Sequence, residues 1–249
     1  MQFKPQEEDL TLVVTGHGVA DYDAWLKVFT GACEAPKEEN FHRNVLQVKY
    51  HLAAQQTNPK QGTSNPCCLV VAVSPSSTDA IMEGVLKYEG EPFDTFKKDG
   101  TMIPPFEPNM MGRLVADRWD VPEEEVGEDL KKNPGNYMVY VASHGVPSFD
   151  KWYTEAFGGG APMPAELRDG LGVVRTLVAK GPKRTVDDQE QETCIVLHVF
   201  RKAGYDAFAQ LAKYDAPPFV GGPDFIGNGL VIPPFDINLF ADAALSFEY

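Results

Sequence analysis

Two stretches of the chain share one pattern of apolar, polar and turn residues. The segment from Gly16 to Trp25 recurs from Ser143 to Trp152, and a His-Gly-Val core stands at the same place in both. Three more blocks recur in the same order: an apolar run, a Lys-Tyr pair followed by Pro-Phe, and an Ile-Pro-Pro-Phe sequence. A shared order of blocks at a nearly constant offset indicates a duplicated unit.

Each copy predicts the same order of secondary-structure elements. Apolar residues at i, i+3, i+4 and i+7 predict helices, and alternating or unbroken apolar runs predict strands. In the first copy we expect strands and helices in this order: strand 10–15, a helix from Tyr22, strands 45–53 and 67–73, a helix around 81–86, strand 110–115. The second copy predicts strand 137–142, a helix from Phe149, strands 173–179 and 193–200, a helix around 205–212, strand 239–247. Asp21 and Ser148 are suited to cap the first helices. The order β-α-β-β-α-β is that of a ferredoxin-like unit.

The duplication divides the chain into three parts. We predict a first ferredoxin-like repeat at 1–119, an acidic linker at 120–136 and a second repeat at 137–249. The linker carries Pro122, Pro134 and Gly135, and it has no sustained apolar period. One such sheet would leave an apolar face uncovered, so we expect an α+β fold in which the two sheets pack face to face with the helices outside, as an intramolecular pseudo-dimeric α+β barrel.

The topology, the length of each copy and the pattern Val-x-x-Tyr/Phe-Asp-x-Trp, which ends at Trp25 and at Trp152, resemble the dimeric α+β barrel superfamily. That superfamily includes antibiotic-biosynthesis monooxygenases, EthD-like proteins, stress-responsive barrel proteins and small polyketide cyclases. The resemblance implies the fold but no single reaction, because the fold hosts cofactor-free oxygenases, cyclases, lyases, heme enzymes and proteins without a known reaction. Tandem members of this length include the chlorite dismutase group, whose heme lies in the second copy. The stretch typical of its proximal histidine does not occur here, so we expect no cofactor and keep heme as the alternative.

The amino-acid composition argues against some classes of binding partner. The chain has 22 Lys plus Arg against 36 Asp plus Glu, a formal net charge of -14, so a nucleic acid or an anionic membrane surface would be repelled. The first residues show no export signal, and 18 apolar residues never occur in succession, so we expect no membrane association. Four cysteines without C-x-x-C spacing are typical of reduced thiols, which predicts a cytoplasmic protein. Association of the pseudo-dimer into a homo-oligomer stays open.

Three histidines are the catalytic candidates. His17 and His144 each stand where a first strand passes to its helix, and an imidazole there can act as a general base. The other interpretation is that His-Gly only shapes the turn while the imidazole bonds a backbone group. His198 replaces Ala72 in the matched strand, as Leu177 replaces His51, so the two copies differ. A hydrogen-bonded core histidine is the other interpretation of His198.

The candidate ligand-binding residues are aromatic or carry an amide. They are Tyr22, Trp25, Phe149, Trp152, Tyr88, Tyr214, Asn109 and Asn238. The aromatic residues can also be interpreted as core packing. The Ile-Pro-Pro-Phe blocks that precede the two asparagines can also be interpreted as structural anchors of a loop. We expect no metal site, since the sequence lacks His-x-x-x-His and His-Glu-x-x-His, and since His42 and His51 are isolated in the sequence.

These residues support two hypotheses. The first is a small-molecule-binding barrel protein, a cofactor-independent monooxygenase, cyclase or lyase that acts on an apolar or aromatic organic compound. The second is a non-enzymatic binding or assembly protein that uses the duplicated barrel as a scaffold. Under the first, His17 and His144 are bases or orienting groups and the aromatic residues form the walls of the site.

Overall fold

The computed structural model describes residues 9–58, 64–90, 93–155, 158, 164–186, 188–211 and 232–249. Their strands are β1 Leu10–Gly18, β2 Tyr50–Gln56, β3 Cys67–Pro75, β4 Asn109–Trp119, β5 Tyr137–Val146, β6 Val173–Val186, β7 Gln189–Arg201 and β8 Ile232–Glu248. Their α-helices are α1 Tyr22–Glu34, α2 Phe41–Asn44, α3 Asp79–Lys87, α4 Phe93–Lys98, α5 Glu123–Lys132, α6 Phe149–Glu155, α7 Ala165–Leu171 and α8 Tyr205–Leu211.

Each repeat has the predicted β-α-β-β-α-β order, with short additional helices in the connections. The hydrogen-bonded strand order is β1-β3-β2-β8-β5-β7-β6-β4, and it closes into a barrel of antiparallel strands. The α+β fold class and the pseudo-dimeric barrel predicted from the sequence are therefore confirmed.

The ends of several elements differ from the prediction. β1 and β5 continue through the His-Gly dipeptides, so both candidate histidines lie in strands and not in the turns that follow. The residues from Val45 to Lys49 are not a strand. They form a turn after α2, in which Gln47 adopts φ 50° and the Val48 amide donates to the His42 carbonyl. The apolar alternation of this stretch reflects burial of Leu46 and Val48 in that turn.

The linker also contains a helix that its composition does not predict. α5 starts with three exposed glutamates, which suit the positive end of a helix dipole. Val126 and Leu130 lie four residues apart on one face and are buried. Two apolar residues are too few to show as a period. No helix of the described residues is long and apolar enough to cross a membrane.

The chain divides into two compact units that cut across β4 and β8. One unit contains residues 9–113 together with Phe240–Tyr249, and the other is Leu114–Leu239. The first half of β4 pairs with β1, with Thr11 opposite Arg113, while beyond its second half the Asp120 amide bonds the Val174 carbonyl. The predicted repeat boundaries stay a prediction. The two compact units are defined by contacts within the fold, and such units do not test where a duplicated sequence begins and ends.

In the unit that contains residues 9–113, the helices cover one face of the sheet. α1 packs Tyr22 and Trp25 on Ala53 and Cys68, and α3 packs Met82 on Val13 and Ala72 in a second cluster. The α1 start is fixed by Asp21, whose side chain accepts a hydrogen bond from the Ala24 amide at 3.0 Å, as predicted for its N-cap.

The unit Leu114–Leu239 repeats this arrangement. α6 packs Phe149 and Trp152 on Val178, Cys194 and Val196. The Ser148 hydroxyl accepts from the Lys151 amide at 3.3 Å, which is the predicted cap of this helix.

Candidate functional site

His17 points into the layer between the sheet and α1. The antiparallel register of β1 and β3 places His17 directly opposite Cys68. Residues opposite each other on paired strands share a face, and Cys68 packs in the cluster that holds Tyr22 and Trp25. The imidazole is therefore enclosed between strand and helix, and 7% of the residue's surface is exposed.

The hydrogen bonds of His17 define its tautomer. Nδ1 lies 2.9 Å from the carbonyl oxygen of Gly18, and a carbonyl only accepts, so we assign the proton to Nδ1. Burial lowers the pKa of His17 from its usual 6.5, which keeps the ring neutral at pH 7. Nε2 then carries a lone pair, and no protein group within the described residues hydrogen-bonds to it.

Aromatic rings flank this imidazole on two sides. Trp25 approaches at 6.0 Å between ring centroids and Tyr88 at 5.8 Å, both with planes near perpendicular. Tyr22 lies 5.5 Å from Trp25, and its hydroxyl is buried without a hydrogen-bond partner among the described residues. The rings thus form apolar walls around a polar nitrogen.

Tyr88 is joined to Asn109 through Thr15. The Thr15 hydroxyl donates to Oδ1 of Asn109 at 2.8 Å. The Tyr88 hydroxyl lies against the Thr15 oxygen and also has the Gly16 carbonyl within reach as an acceptor at 3.4 Å. Nδ2 of Asn109 in turn donates to the Phe106 carbonyl at 3.0 Å. Asn109 itself is exposed, and Tyr88 takes φ 50° as the C-cap of α3. This chain fixes the phenol of Tyr88 beside His17.

The Ile-Pro-Pro-Phe block of the first repeat docks on the strand end that carries His17. The Gly18 amide donates to the Pro105 carbonyl at 2.9 Å. A Cβ at Gly18 would lie 2.7 Å from the Pro104 carbonyl oxygen, closer than side chains allow. Glycine is required here by the close approach of two backbones.

His144 has the same surroundings with one difference. Its Nδ1 lies 3.1 Å from the Gly145 carbonyl, and Trp152 lies 5.9 Å away in an edge contact. Sγ of Cys194, however, lies 3.3 Å from its Nε2 and 3.5 Å from its Nδ1, beside the ring. Burial raises the pKa of Cys194 to about 12, so the thiol keeps its proton, and it donates to the His144 carbonyl at 3.7 Å. The two repeats therefore differ in the sulfur that lies beside Nε2 of His144.

His198 belongs to a separate buried group in the second repeat. Its Nδ1 lies 2.9 Å from the Thr176 hydroxyl, which donates to a carboxylate oxygen of Asp120. Because the hydroxyl proton is used, Nδ1 of His198 must donate to Thr176. The other Asp120 oxygen lies 2.8 Å from Nε of Arg118, in the geometry of an ion pair without an aligned hydrogen bond. Burial lowers the pKa of His198 to about 4, although Asp120 opposes this shift.

Several sequence candidates remain apart from these groups. Phe149 packs 5.5 Å from Trp152, Asn238 is exposed, and Tyr214 lies outside the described residues. The match of His51 with Leu177 is wrong by one residue. His51 pairs with Ala72 and Thr176 pairs with His198, so Thr176 is the structural counterpart of His51. A bulge at Val173/Arg175 in β6 moves the register by that one position.

Among the described residues, no group of three or more His, Cys, Asp or Glu side chains could hold a metal ion. A heme iron needs an axial imidazole nitrogen that faces open space. Sγ of Cys194 lies 3.3 Å from Nε2 of His144, so His144 does not fit that role. No step below involves heme.

No protein-family model matches this chain, and no curated protein sequence matches it. Among solved structures, it is similar to an anthrone oxidase-like protein with a TM-score of 0.53 and 13% identity, over 98% of this chain and 94% of that one. A protein from Fusobacterium nucleatum, provisionally named a monooxygenase, is similar with a TM-score of 0.52 and 10% identity, over 98% and 96% of the two chains. At these identities the likeness shows the fold alone.

Proposed function

Because the chain has the dimeric α+β barrel fold, we propose that it binds a small aromatic molecule and acts on it without a cofactor, with His17 as the base. The observation that carries the proposal is the free lone pair on Nε2 of His17 within the described residues. Gly18 holds the proton on Nδ1, and Nε2 keeps a lone pair without a protein partner in the described part of the chain. An imidazole oriented in this way accepts a proton from a phenol or an acidic C–H group.

The proposed step is a proton transfer. The bond from hydrogen to the substrate carbon or oxygen breaks, its electron pair stays on the substrate as an enolate or phenolate, and the proton goes to Nε2. The lowered pKa of His17 supports this role, because the ring is neutral and able to accept at pH 7. Trp25 and Tyr22 would face the aromatic plane, and the fixed Tyr88 phenol would orient a substrate oxygen.

The names of the two similar structures suggest which later reaction to test. One is called anthrone oxidase-like and the other a monooxygenase. A carbanion formed at a CH₂ group can react with dioxygen to give a carbonyl and water, so that carbon is oxidised, oxygen is reduced and no cofactor is required. We propose this reaction class for the present chain, with O₂ as the co-reactant.

Anthrone is a suitable probe because it has an acidic CH₂ group between aromatic rings. Without oxygen, NMR in D₂O measures exchange of its CH₂ hydrogens, which reports proton abstraction alone. In air, an oxygen electrode measures oxidation. We expect the protein to accelerate both, and His17→Gln to lower the exchange rate by about 10²-fold or more. Lys27→Gln, on the exposed side of α1, is the control and should match the wild type.

Unchanged exchange in His17→Gln would refute His17 as the base. Exchange without oxygen uptake would restrict the function to a cyclase or lyase type of chemistry. His144→Gln distinguishes one site from two. We expect it to retain most of the exchange rate, because Sγ of Cys194 lies beside the His144 ring and hinders access to Nε2.

The alternative function, that of a non-enzymatic binding or assembly protein, is considered from a different observation. Val28 is 68% exposed and Phe41 is 50% exposed, both in the first repeat. A contiguous patch of such side chains would mark a contact surface, whereas single exposed apolar side chains are common on any protein. If this function holds, anthrone exchange is absent, and replacing Val28 and Phe41 by serine lowers self-association measured by light scattering.

A further inference from the structure

His42 and His51 form a second imidazole group in the first repeat. His42 is half-buried on α2, and His51 is buried on β2. The turn between them brings Nδ1 of His42 to 3.1 Å from Nε2 of His51. Their ring centroids are 4.7 Å apart and their planes are at 85°. The sequence did not predict this pair, because the two histidines are nine residues apart and meet only through the turn after α2.

The two distances together describe how the lone pairs are directed. If both ring axes lay along the N···N line, the centroids would be about 5.3 Å apart, since each ring adds roughly 1.1 Å to the separation. The observed 4.7 Å is shorter, so the rings are bent away from that line. When one nitrogen is protonated, the contact is a bent hydrogen bond, and when both are deprotonated, the two lone pairs are available to one ion.

A single metal ion reproduces both distances. With bonds of about 2.05 Å to each nitrogen, an N···N separation of 3.1 Å corresponds to a ligand–metal–ligand angle of about 98°. The same ion, in line with both lone pairs, places the centroids about 4.8 Å apart, close to the observed 4.7 Å. A bridging ion is therefore consistent with both distances.

The surroundings hold the two rings in place. Phe29 contacts both, with centroids 5.6 Å from His42 and 5.5 Å from His51. Tyr249 lies 6.0 Å from His51, and Phe41 lies 6.3 Å from His42. Preorganised ligands lose little freedom when they bind, which favours affinity from only two imidazoles.

The type of ligand selects the ion. The angle of about 98° lies between the about 90° of square-planar and octahedral ions and the about 109° of tetrahedral Zn²⁺, so it does not decide between them. Imidazole suits Cu²⁺ and Ni²⁺, and Cu²⁺ is bound most tightly of the divalent series. We propose that His42 and His51 form a two-imidazole site for a divalent transition metal, Cu²⁺ above all, with water at the remaining positions on the exposed His42 side.

The test uses the untagged full-length chain after removal of metals. Calorimetric titration with Cu²⁺ should give one ion per chain, and electron paramagnetic resonance should show two coordinated imidazole nitrogens. His42→Gln should weaken binding by about tenfold or more and leave one nitrogen in the spectrum. Arg43→Gln removes the exposed neighbouring side chain and is the matched control, with affinity as in the wild type.

Three results would overturn the proposal: no Cu²⁺ bound by the wild type, a spectrum of one imidazole nitrogen in the wild type, or equal affinity in His42→Gln. Zn²⁺ bound more tightly than Cu²⁺ would contradict the choice of ion. His51→Gln provides a second variant at the buried end. Circular dichroism of both variants separates a lost ligand from a lost fold.

Discussion

Acid should destabilise this protein through two buried imidazoles of the second repeat. Burial lowers the pKa of His144 to about 4 and that of His198 to about 4, from 6.5 in the absence of tertiary structure. Between these values the unfolded chain binds protons that the folded chain rejects. Stability that is fully present above pH 6.5 is therefore lost as the pH falls toward 4.

The magnitude follows from the two protonation curves. At pH 5 an imidazole of pKa 6.5 is about 97% protonated in the unfolded chain, and one of pKa 4 is about 10% protonated in the folded protein. Integration from pH 7 to pH 5 gives about 2 kcal/mol for His144. His198 adds to the loss in the same direction, because burial also lowers its pKa. The loss is a large part of the about 5–15 kcal/mol by which domains are usually stable.

Urea denaturation at pH 7, 6 and 5, followed by circular dichroism and tryptophan fluorescence, measures this loss. In His144→Gln, the difference in unfolding free energy between pH 7 and pH 5 should be about 2 kcal/mol smaller than in the wild type. The comparison is of slopes, so the cost of the substitution itself cancels. Lys151→Gln, exposed on α6, is the control and should keep the wild-type slope.

A wild-type slope in His144→Gln would refute the reasoning. It would mean that His144 takes up its proton in the folded protein near pH 6.5, and that burial against Trp152 and Cys194 does not penalise the charged ring.

Three further predictions concern stability in urea. Gly18→Ala should cost about 1–3 kcal/mol because its Cβ meets backbone carbonyls at 2.7 and 2.8 Å, whereas Gly31→Ala, with nothing within 4 Å, should cost nothing. Thr176→Val should cost about 1–3 kcal/mol, since it removes the hydroxyl between an imidazole and a carboxylate, and Thr176→Ser should restore most of this. Asp117→Asn should cost about 1–3 kcal/mol because it weakens the two-pronged ion pair with Arg175, whose bonds are 2.9 and 2.8 Å; equal midpoints for variant and wild type would contradict this.

Part of the candidate site was predictable from the sequence. His17, Trp25, Tyr88 and Asn109 were singled out because they recur in the duplicated blocks, and the structure brings all four into one layer of the first repeat. Thr15 was missed. It has no motif, and its role arises only because the docking of neighbouring segments places its hydroxyl between Tyr88 and Asn109.

The groups that the sequence did not predict all depend on register or on turn geometry. Asp120 appeared to be the start of a linker, yet its carboxylate is buried against Thr176. His51 was matched with the wrong residue because a bulge in β6 does not alter the apolar pattern. His42 reaches His51 only through the turn around Gln47.

The sequence by itself determined the duplication, the order of strands and helices, and the faces that become buried. Those properties follow from local periodicity, which each segment carries on its own. Tertiary structure alone decided which side chains meet: that Nε2 of His17 keeps its lone pair while that of His144 faces a thiol, and that His42 and His51 converge. Such differences arise from distances of a few ångströms across strands and turns, which a pattern of polar and apolar residues does not encode.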